Sequence, residues 1–294
     1  MARYAGIEGG GTKFVVAFGS GPSDLGEPEV IPTTGPGETL DRVVSLIASS
    51  GGVDAAGAAM FGPLDLREGS AGFGSVMDTP KPGWSGADVL GILRDRLGVP
   101  VGIDTDVNGA ALAEARWGAA RGLGTVVYVT VGTGFGGGGL VRGRPMHGLS
   151  HPEMGHIRIP RHEEDAFEGT CPFHGDCLEG MVAGPAVEGR WGRRGEDLGE
   201  LAPEAADLLG WYLGTALAGL ALALSPQRIV AGGGVMKIPG LLEATRARFL
   251  DALGGYASLP EVLDASTYLV RPGLGDRSGV LGGIALAADT AGAG

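Results

Sequence analysis

Short apolar runs alternate with helical periodicities along most of this chain. Tyr4–Glu8 and Phe14–Phe18 are β-prone and enclose Gly9-Gly10-Gly11-Thr12-Lys13, which predicts a hairpin with a glycine-rich tip. From Glu38 to Ser49 the apolar residues Leu40, Val43, Val44 and Ile47 recur at helical spacing. Ala55–Phe61 reads as a buried strand ending at Gly62-Pro63, and Asp88–Leu97 as a second helix. Pro100–Ile103 is another buried strand. Asp104-Thr105-Asp106 follows it, then a helix from about Asn108 to Ala120.

The hairpin design then recurs: a strand at Val126–Val131, the glycine-rich run Gly132–Gly139, and a strand at Leu140–Arg142. His147–Gly180 has no period and holds every histidine and cysteine of the chain. A helix over Pro203–Leu224 leads to a strand at Gln227–Ala231 that ends in Gly232-Gly233-Gly234. Helical runs at Leu241–Leu253 and Gly279–Ala288 finish the pattern. Alternating strands and helices place the chain in the α/β class. The repeated hairpin points to a duplicated, two-lobed fold with its boundary near Arg116–Gly124. The apolar stretch from Leu208 to Leu224 is interrupted by Gly210, Gly214 and Gly219 and ends at Ser225-Pro226, which suits a buried core helix better than a membrane span.

Charge narrows the partners. The 294 residues carry a formal net charge of -12, which repels nucleic-acid backbones and anionic lipid and so argues against both as partners. It does not argue against a nucleotide, which needs only a local arrangement of amides and cations. Two cysteines exclude a disulfide framework. Met1–Tyr4 runs straight into the first strand without the apolar region of a signal peptide, so the cytoplasm is the expected compartment.

Glycine, at 58 residues, is far above its usual share of about 7%, and it gathers at strand ends. Such turns let backbone N–H groups approach anionic oxygens without a Cβ in the way. Three clusters of this kind point to phosphate. Gly9–Lys13 lacks the spacing of a P-loop. Gly132-Thr133-Gly134-Phe135-Gly136-Gly137 matches G-x-G-x-x-G, but it runs into a strand where a dinucleotide fingerprint must open a helix.

Asp104-Thr105-Asp106-Val107-Asn108 stands at a strand C-terminus just before a helix, where open α/β sheets bind ligands. A carboxylate there can accept a proton from a substrate hydroxyl in phosphoryl transfer, or it can merely cap the helix. Spacing alone does not say which of Asp104 and Asp106 faces a cleft. His156, Cys171, His174 and Cys177 form H-x14-C-x2-H-x2-C, a spacing suited to one tetrahedral ion. Two thiolates and two neutral imidazoles balance Zn²⁺ and leave no open position, so the expected role is structural. His147, His151 and His162 read as hydrogen-bonding loop residues.

Taken together, Ile7–Lys13, Asp104–Ala111, Val131–Gly138, His151-Pro152-Glu153-Met154-Gly155-His156 and Cys171–Gly180 resemble the ROK sugar kinases, in order and across essentially the whole chain. The resemblance implies a two-lobed actin-like ATPase (ribonuclease H-like) fold with a zinc-binding insertion, its lobes closing over ATP and sugar. It puts the small lobe at 1–117, the large lobe at 118–270, and a C-terminal helix in 271–294 that returns to the small lobe. By position, Asp106 becomes the catalytic base. Gly62, Thr105, Glu153, His156 and Glu179 become sugar-binding residues, with His156 also a zinc ligand beside Cys171, His174 and Cys177. Gly10, Gly11, Thr12 and Lys13 form the first phosphate hairpin, Thr133 and Gly134 the second, and Gly232 and Gly233 flank the adenosine. Glu8 stands where many relatives have Asp near a metal.

Cys-Pro-Phe-His-Gly-Asp-Cys at 171–177 departs from the three-cysteine pattern of family glucokinases and resembles the bacterial fructokinase branch. Thr105, where glucokinases carry Asn, argues the same way. The implied reaction is ATP- and Mg²⁺-dependent phosphorylation of D-fructose to fructose 6-phosphate by a cytoplasmic homodimer. Mannokinase or glucokinase activity of broad specificity is the alternative. A non-catalytic sugar-responsive regulator is the rival from another class, disfavoured by the acidic charge and by a hairpin that begins at Tyr4.

Overall fold

The N-terminal hairpin pairs Tyr4–Gly9 (β1) with Lys13–Gly19 (β2) antiparallel, Ile7 opposite Val16 and Gly9 opposite Phe14. In this computed structural model, which describes residues 2–292, the chain up to Gly122, Gly138–Pro152 and the chain from Gly273 form one unit; Leu123–Gly137 and Glu153–Pro272 form the other. The sequence-based boundaries place Gly138–Pro152 in the large lobe. In the structure this stretch belongs with the first unit, where Gly139 N–H donates to Asn108 Oδ1 at 2.9 Å.

The first unit is built on a sheet of Glu29–Pro32 (β3), β2, β1, Ala55–Met60 (β4) and Val101–Thr105 (β5), in that order, with β1, β4 and β5 mutually parallel. Pro36–Ser49 (α1) starts with proline in its first turn and buries Leu40, Val43, Val44 and Ile47, the stripe its periodicity marks. Val89–Leu97 (α2) is capped by Asp88, which accepts from Gly91 N–H at 2.8 Å, and ends on the left-handed Gly98. Their apolar faces share a core with Phe14, Met60 and the fully buried Trp84, whose ring stacks on Phe14.

Asp106–Trp117 (α3) and Ser278–Gly292 (α10) also pack in this unit, α10 against β1, β4 and α3. Their approach depends on missing side chains. A Cβ at Gly57 would lie 2.0 Å from Gly283 O, and one at Gly282 would lie 2.4 Å from the carbonyl carbon of Gly109.

The second sheet has the order Leu269–Val270 (β10), Arg228–Gly232 (β9), Val126–Val131 (β6), Phe135–Val141 (β7) and Arg144–Pro145 (β8). β7 starts at Phe135, earlier than the Leu140 expected from sequence, so the run Gly136–Gly139 lies inside a strand and is not a turn. The glycines serve close packing: a Cβ at Gly137 would be 2.6 Å from Met154 Cβ, and one at Gly138 would be 2.4 Å from Asn108 Oδ1.

In the second unit Leu178–Val182 (α4) and Gly184–Trp191 (α5) precede Ala202–Leu224 (α6); Leu241–Leu253 (α7), Pro260–Leu263 (α8) and Ala265–Tyr268 (α9) follow β9. The helical stretch Gly199–Leu224 is long and apolar enough to cross a membrane by length and composition. In the fold, however, α6 buries Leu209, Tyr212, Leu213 and Leu217 and packs along α7. Gly210 and Gly214 bring the two helices together, since a Cβ at either would come within 2.7 Å of α7 atoms.

Candidate active site

In the first unit two features gather. At the hairpin tip, Gly10 N–H donates to Lys13 O at 2.9 Å, closing the turn and leaving Gly11, Thr12 and Lys13 exposed. Thr33 at the end of β3 braces it, its hydroxyl donating to Gly10 O at 2.7 Å. Glu8, just before the tip, sits against Gly279 of α10, where a Cβ would be 2.3 Å from its carboxyl carbon. Burial pushes the Glu8 carboxyl up, opposed by Lys13 and a hydrogen bond from the backbone of Val280.

The β5–α3 junction separates its two acids. Thr105 is the helix cap, its Oγ1 accepting from Asn108 N–H at 3.2 Å, so neither aspartate is needed for capping and α3 starts at Asp106. Asp104 is sealed at 3% exposure. Its carboxylate accepts from Thr105 N–H at 2.7 Å and Asn108 Nδ2 at 2.9 Å, and lies 3.0 Å from His147 Nε2. Asp106 stays partly open in the first turn, accepting from Val107 N–H at 2.9 Å. Gly62 lies beside His151, whose ring would be 3.2 Å from a Cβ there. The Nε2 of this buried imidazole accepts from Leu64 N–H at 2.9 Å, which fixes the proton of a neutral ring on Nδ1.

In the second unit the other two glycine clusters meet. A Cβ at Gly233 would be 2.3 Å from Val131 O, so the backbone after β9 lies directly on the end of β6, with Gly233 at φ +94°. Gly132 O accepts from Gly184 N–H at 2.7 Å. Glu179 of α4 reaches the same loop, its Oε2 accepting from Phe135 N–H at 2.9 Å. A Cβ at Gly134 would stand 2.8 Å from that oxygen. Thr133 is exposed beside them.

Next to α4 lies the cysteine–histidine cluster. A 3-10 turn, Met154–His156, carries His156, with the exposed Glu153 at its start. Cys171 and Gly175 exchange backbone hydrogen bonds of 3.2 and 2.9 Å, folding Cys171–Cys177 into a knuckle. Both thiols are free. Ligand atoms of His156, Cys171, His174 and Cys177 all lie within 4.8 Å of one another. The sulfur–nitrogen separations of 3.6 and 3.7 Å match the edge of about 3.6 Å expected for a tetrahedral ion with Zn–S near 2.3 Å and Zn–N near 2.0–2.1 Å. Burial, and then the neighbouring Cys171, push the Cys177 thiol up. A bound divalent cation reverses that preference and holds the thiolate. The donor set therefore fits such an ion. His147, His151 and His162 lie outside the cluster.

Two networks were not visible in the sequence. Glu114 is fully buried on α3 and accepts from Ala119, Gly273 and Leu274 N–H and from the Ser278 hydroxyl. In the second unit Asp165 receives Arg190 and the Tyr212 hydroxyl, each at 2.8 Å, while Arg190 lies over the Phe167 ring. Burial works against charge on Asp165, yet Arg190 and the Phe167 N–H hold its carboxyl below the usual range. Tyr212 is pushed up to about 12 by burial and by that carboxylate. The one signal in the sequence is Asp165 and Phe167, which stand between His162 and His174.

Comparison with known proteins agrees with this architecture. The chain is 45% identical to a fructokinase of Zymomonas mobilis over 97% of its own length and 96% of the relative's. It is 42% identical to a putative fructokinase of Bacillus subtilis, covering 96% and 94% of the two chains. The crystal structure of a ROK hexokinase from Thermus thermophilus superposes with a TM-score of 0.80 at 28% identity, over 99% of this chain and all of that one. The profile of the ROK family itself matches residues 4–290, and the chain belongs to that family.

Proposed function

We propose that this chain is an ATP-dependent kinase that phosphorylates the 6-hydroxyl of D-fructose. The observation that carries the reading is the 45% identity, over 97% of the chain, to the Zymomonas mobilis fructokinase. It is supported by a partly open acid, Asp106, on a helix that another residue caps.

In this reading Mg²⁺ arrives with ATP, bound to its phosphates as part of the substrate. Amides of Gly10, Gly11, Thr12 and Lys13, and those of Thr133 and Gly134, hold the phosphates, and Gly232 and Gly233 flank the adenosine. Gly62, Thr105, Glu153, His156 and Glu179 hold the sugar. The sugar oxygen forms a bond to the γ-phosphorus as the bond from that phosphorus to the bridging oxygen breaks. ADP leaves with the electron pair, and the hydroxyl proton passes to Asp106. His156, Cys171, His174 and Cys177 hold a structural Zn²⁺, which stiffens a segment with little regular structure and takes no part in the transfer. A cytoplasmic homodimer completes the proposal, checked by sedimentation for the oligomer.

Mannose or glucose as the preferred sugar is the second reading; Thr105 at the capping position, in place of the glucokinase Asn, favours fructose. The deciding experiment is a coupled ADP-release assay against fructose, mannose, glucose and N-acetylmannosamine. The highest kcat/KM is expected with fructose. A preference for another sugar corrects the substrate, and absence of sugar-dependent ADP release rejects the kinase.

A further inference from the structure

The β5–α3 junction holds a group that the proposed reaction does not use. Asp104 is buried beside the partly open Asp106, yet three donors converge on its carboxylate. Two of them, Thr105 N–H and Asn108 Nδ2, belong to the junction itself. The third is His147, 43 residues further along the chain. Its Nε2 lies 3.1 and 3.0 Å from the two carboxylate oxygens, so that nitrogen carries the proton and donates.

His147 is not an isolated visitor. Its stretch, Gly138–Pro152, also supplies Gly139 N–H to Asn108 Oδ1, while Asn108 donates to Asp104. Asn108 is fully buried, and its Oδ1 lies only 2.4 Å from where a Cβ on Gly138 would stand. The first turn of α3 is thus held on one side by its cap, Thr105, and on the other by a relay from His147 and Gly139. Asp106 sits between those two restraints. A side chain in a first helical turn follows the backbone of that turn, so the relay sets where its carboxylate stands.

We propose that His147 is a positioning residue for phosphoryl transfer, holding Asp104 and through it the first turn of α3 that carries Asp106. The inference rests on the kinase reading. Misplacement of a reacting group by even about 1 Å can cost on the order of 100-fold in rate. The hydrogen bond to Asp104 is also the main reason the His147 imidazole is raised above its ordinary value of 6.5, against burial and with a further contribution from Glu68. The sign follows directly. The charged His147–Asp104 pair is complete below the ordinary value and weakens as pH rises through the raised one.

The test compares wild type, His147→Ala and His147→Gln, measuring kcat, both KM values and Tm, with kcat followed against pH. His147→Ala is expected to lower kcat by about tenfold or more, with KM for sugar and ATP within about twofold and Tm lowered by only about 2–4 °C. His147→Gln, which keeps a donor, is expected to recover part of that loss. The ratio of wild-type to His147→Gln kcat should fall as pH rises above 6.5, a readout that a purely structural role would not move. Normal kcat in His147→Ala overturns the proposal. So does a loss shared equally by kcat, both KM values and Tm in the two variants. Wild-type protein without sugar-dependent turnover defeats the kinase reading itself, an outcome separate from either of these.

Discussion

The β5–α3 junction and the cysteine–histidine segment each hold side chains in place, but by different means. At the junction, regular structure does the holding: a strand end, a threonine cap and a buried carboxylate that accepts from Thr105 N–H and Asn108 Nδ2. Residues 147–180 contain little helix or strand before α4. Their order comes from the knuckle of Cys171–Cys177, the four convergent ligand atoms, and the Asp165–Arg190–Tyr212 network against α6. A junction closed by hydrogen bonds from polar side chains to the backbone and to one another is sensitive to single polar changes yet does not depend on an ion. A loop held by side chains depends on the few groups that cross-link it.

The largest expected effect falls on the junction. Asp106→Asn is isosteric and removes only the ability to take a proton, so kcat should fall by about 10²–10⁴-fold, with Tm and ATP affinity preserved. Near-normal turnover would move the base elsewhere and remove the reason for holding this turn so firmly. Next comes the loop. Stripping the proposed ion with a strong chelator should raise KM for sugar by about 10–100-fold, the range seen when support of a ligand shell is lost, and leave KM for ATP nearly constant. Equal losses for both substrates would mean general unfolding, and no loss would confine the cluster to a role remote from the sugar. Metal analysis before and after chelation identifies the ion. The smallest effect is Tyr212→Phe, which removes the hydrogen bond to Asp165 at 2.8 Å and the one accepted from His162 N–H at 3.2 Å and should cost about 1–2 kcal/mol by denaturant unfolding. If this variant weakened sugar binding as much as chelation did, the segment would be held by its protein contacts and not by its ligand knuckle.

Much of this was legible along the chain because the signals are local. Leu40, Val43, Val44 and Ile47 mark the buried face of α1 by spacing alone, and Gly9–Lys13 announces a tight turn by composition. The cysteine–histidine cluster was legible for the same reason, since three of its four residues fall within seven positions. Glycine misled at Gly136–Gly139, where a run that reads as a turn is a strand. The cause is a close approach by Met154 and Asn108, which a one-dimensional pattern does not contain. The partners of Asp104, Glu114 and Asp165 were equally hidden, because their donors lie 43, about 160 and 47 residues away along the chain.

The sequence by itself determined the α/β class, the order of the main strands and helices, the glycine clusters at strand ends, and which four residues can meet around an ion. These depend on residue type and short spacing, which act within one turn or one strand. Only the tertiary structure decided between Asp104 and Asp106 as the open acid. Thr105 takes the cap and His147 arrives from a distant loop, so one acid is sealed and the other left partly exposed. The physical reason is that exposure and hydrogen-bond partners are properties of packing between remote segments, and two aspartates two positions apart differ in nothing else.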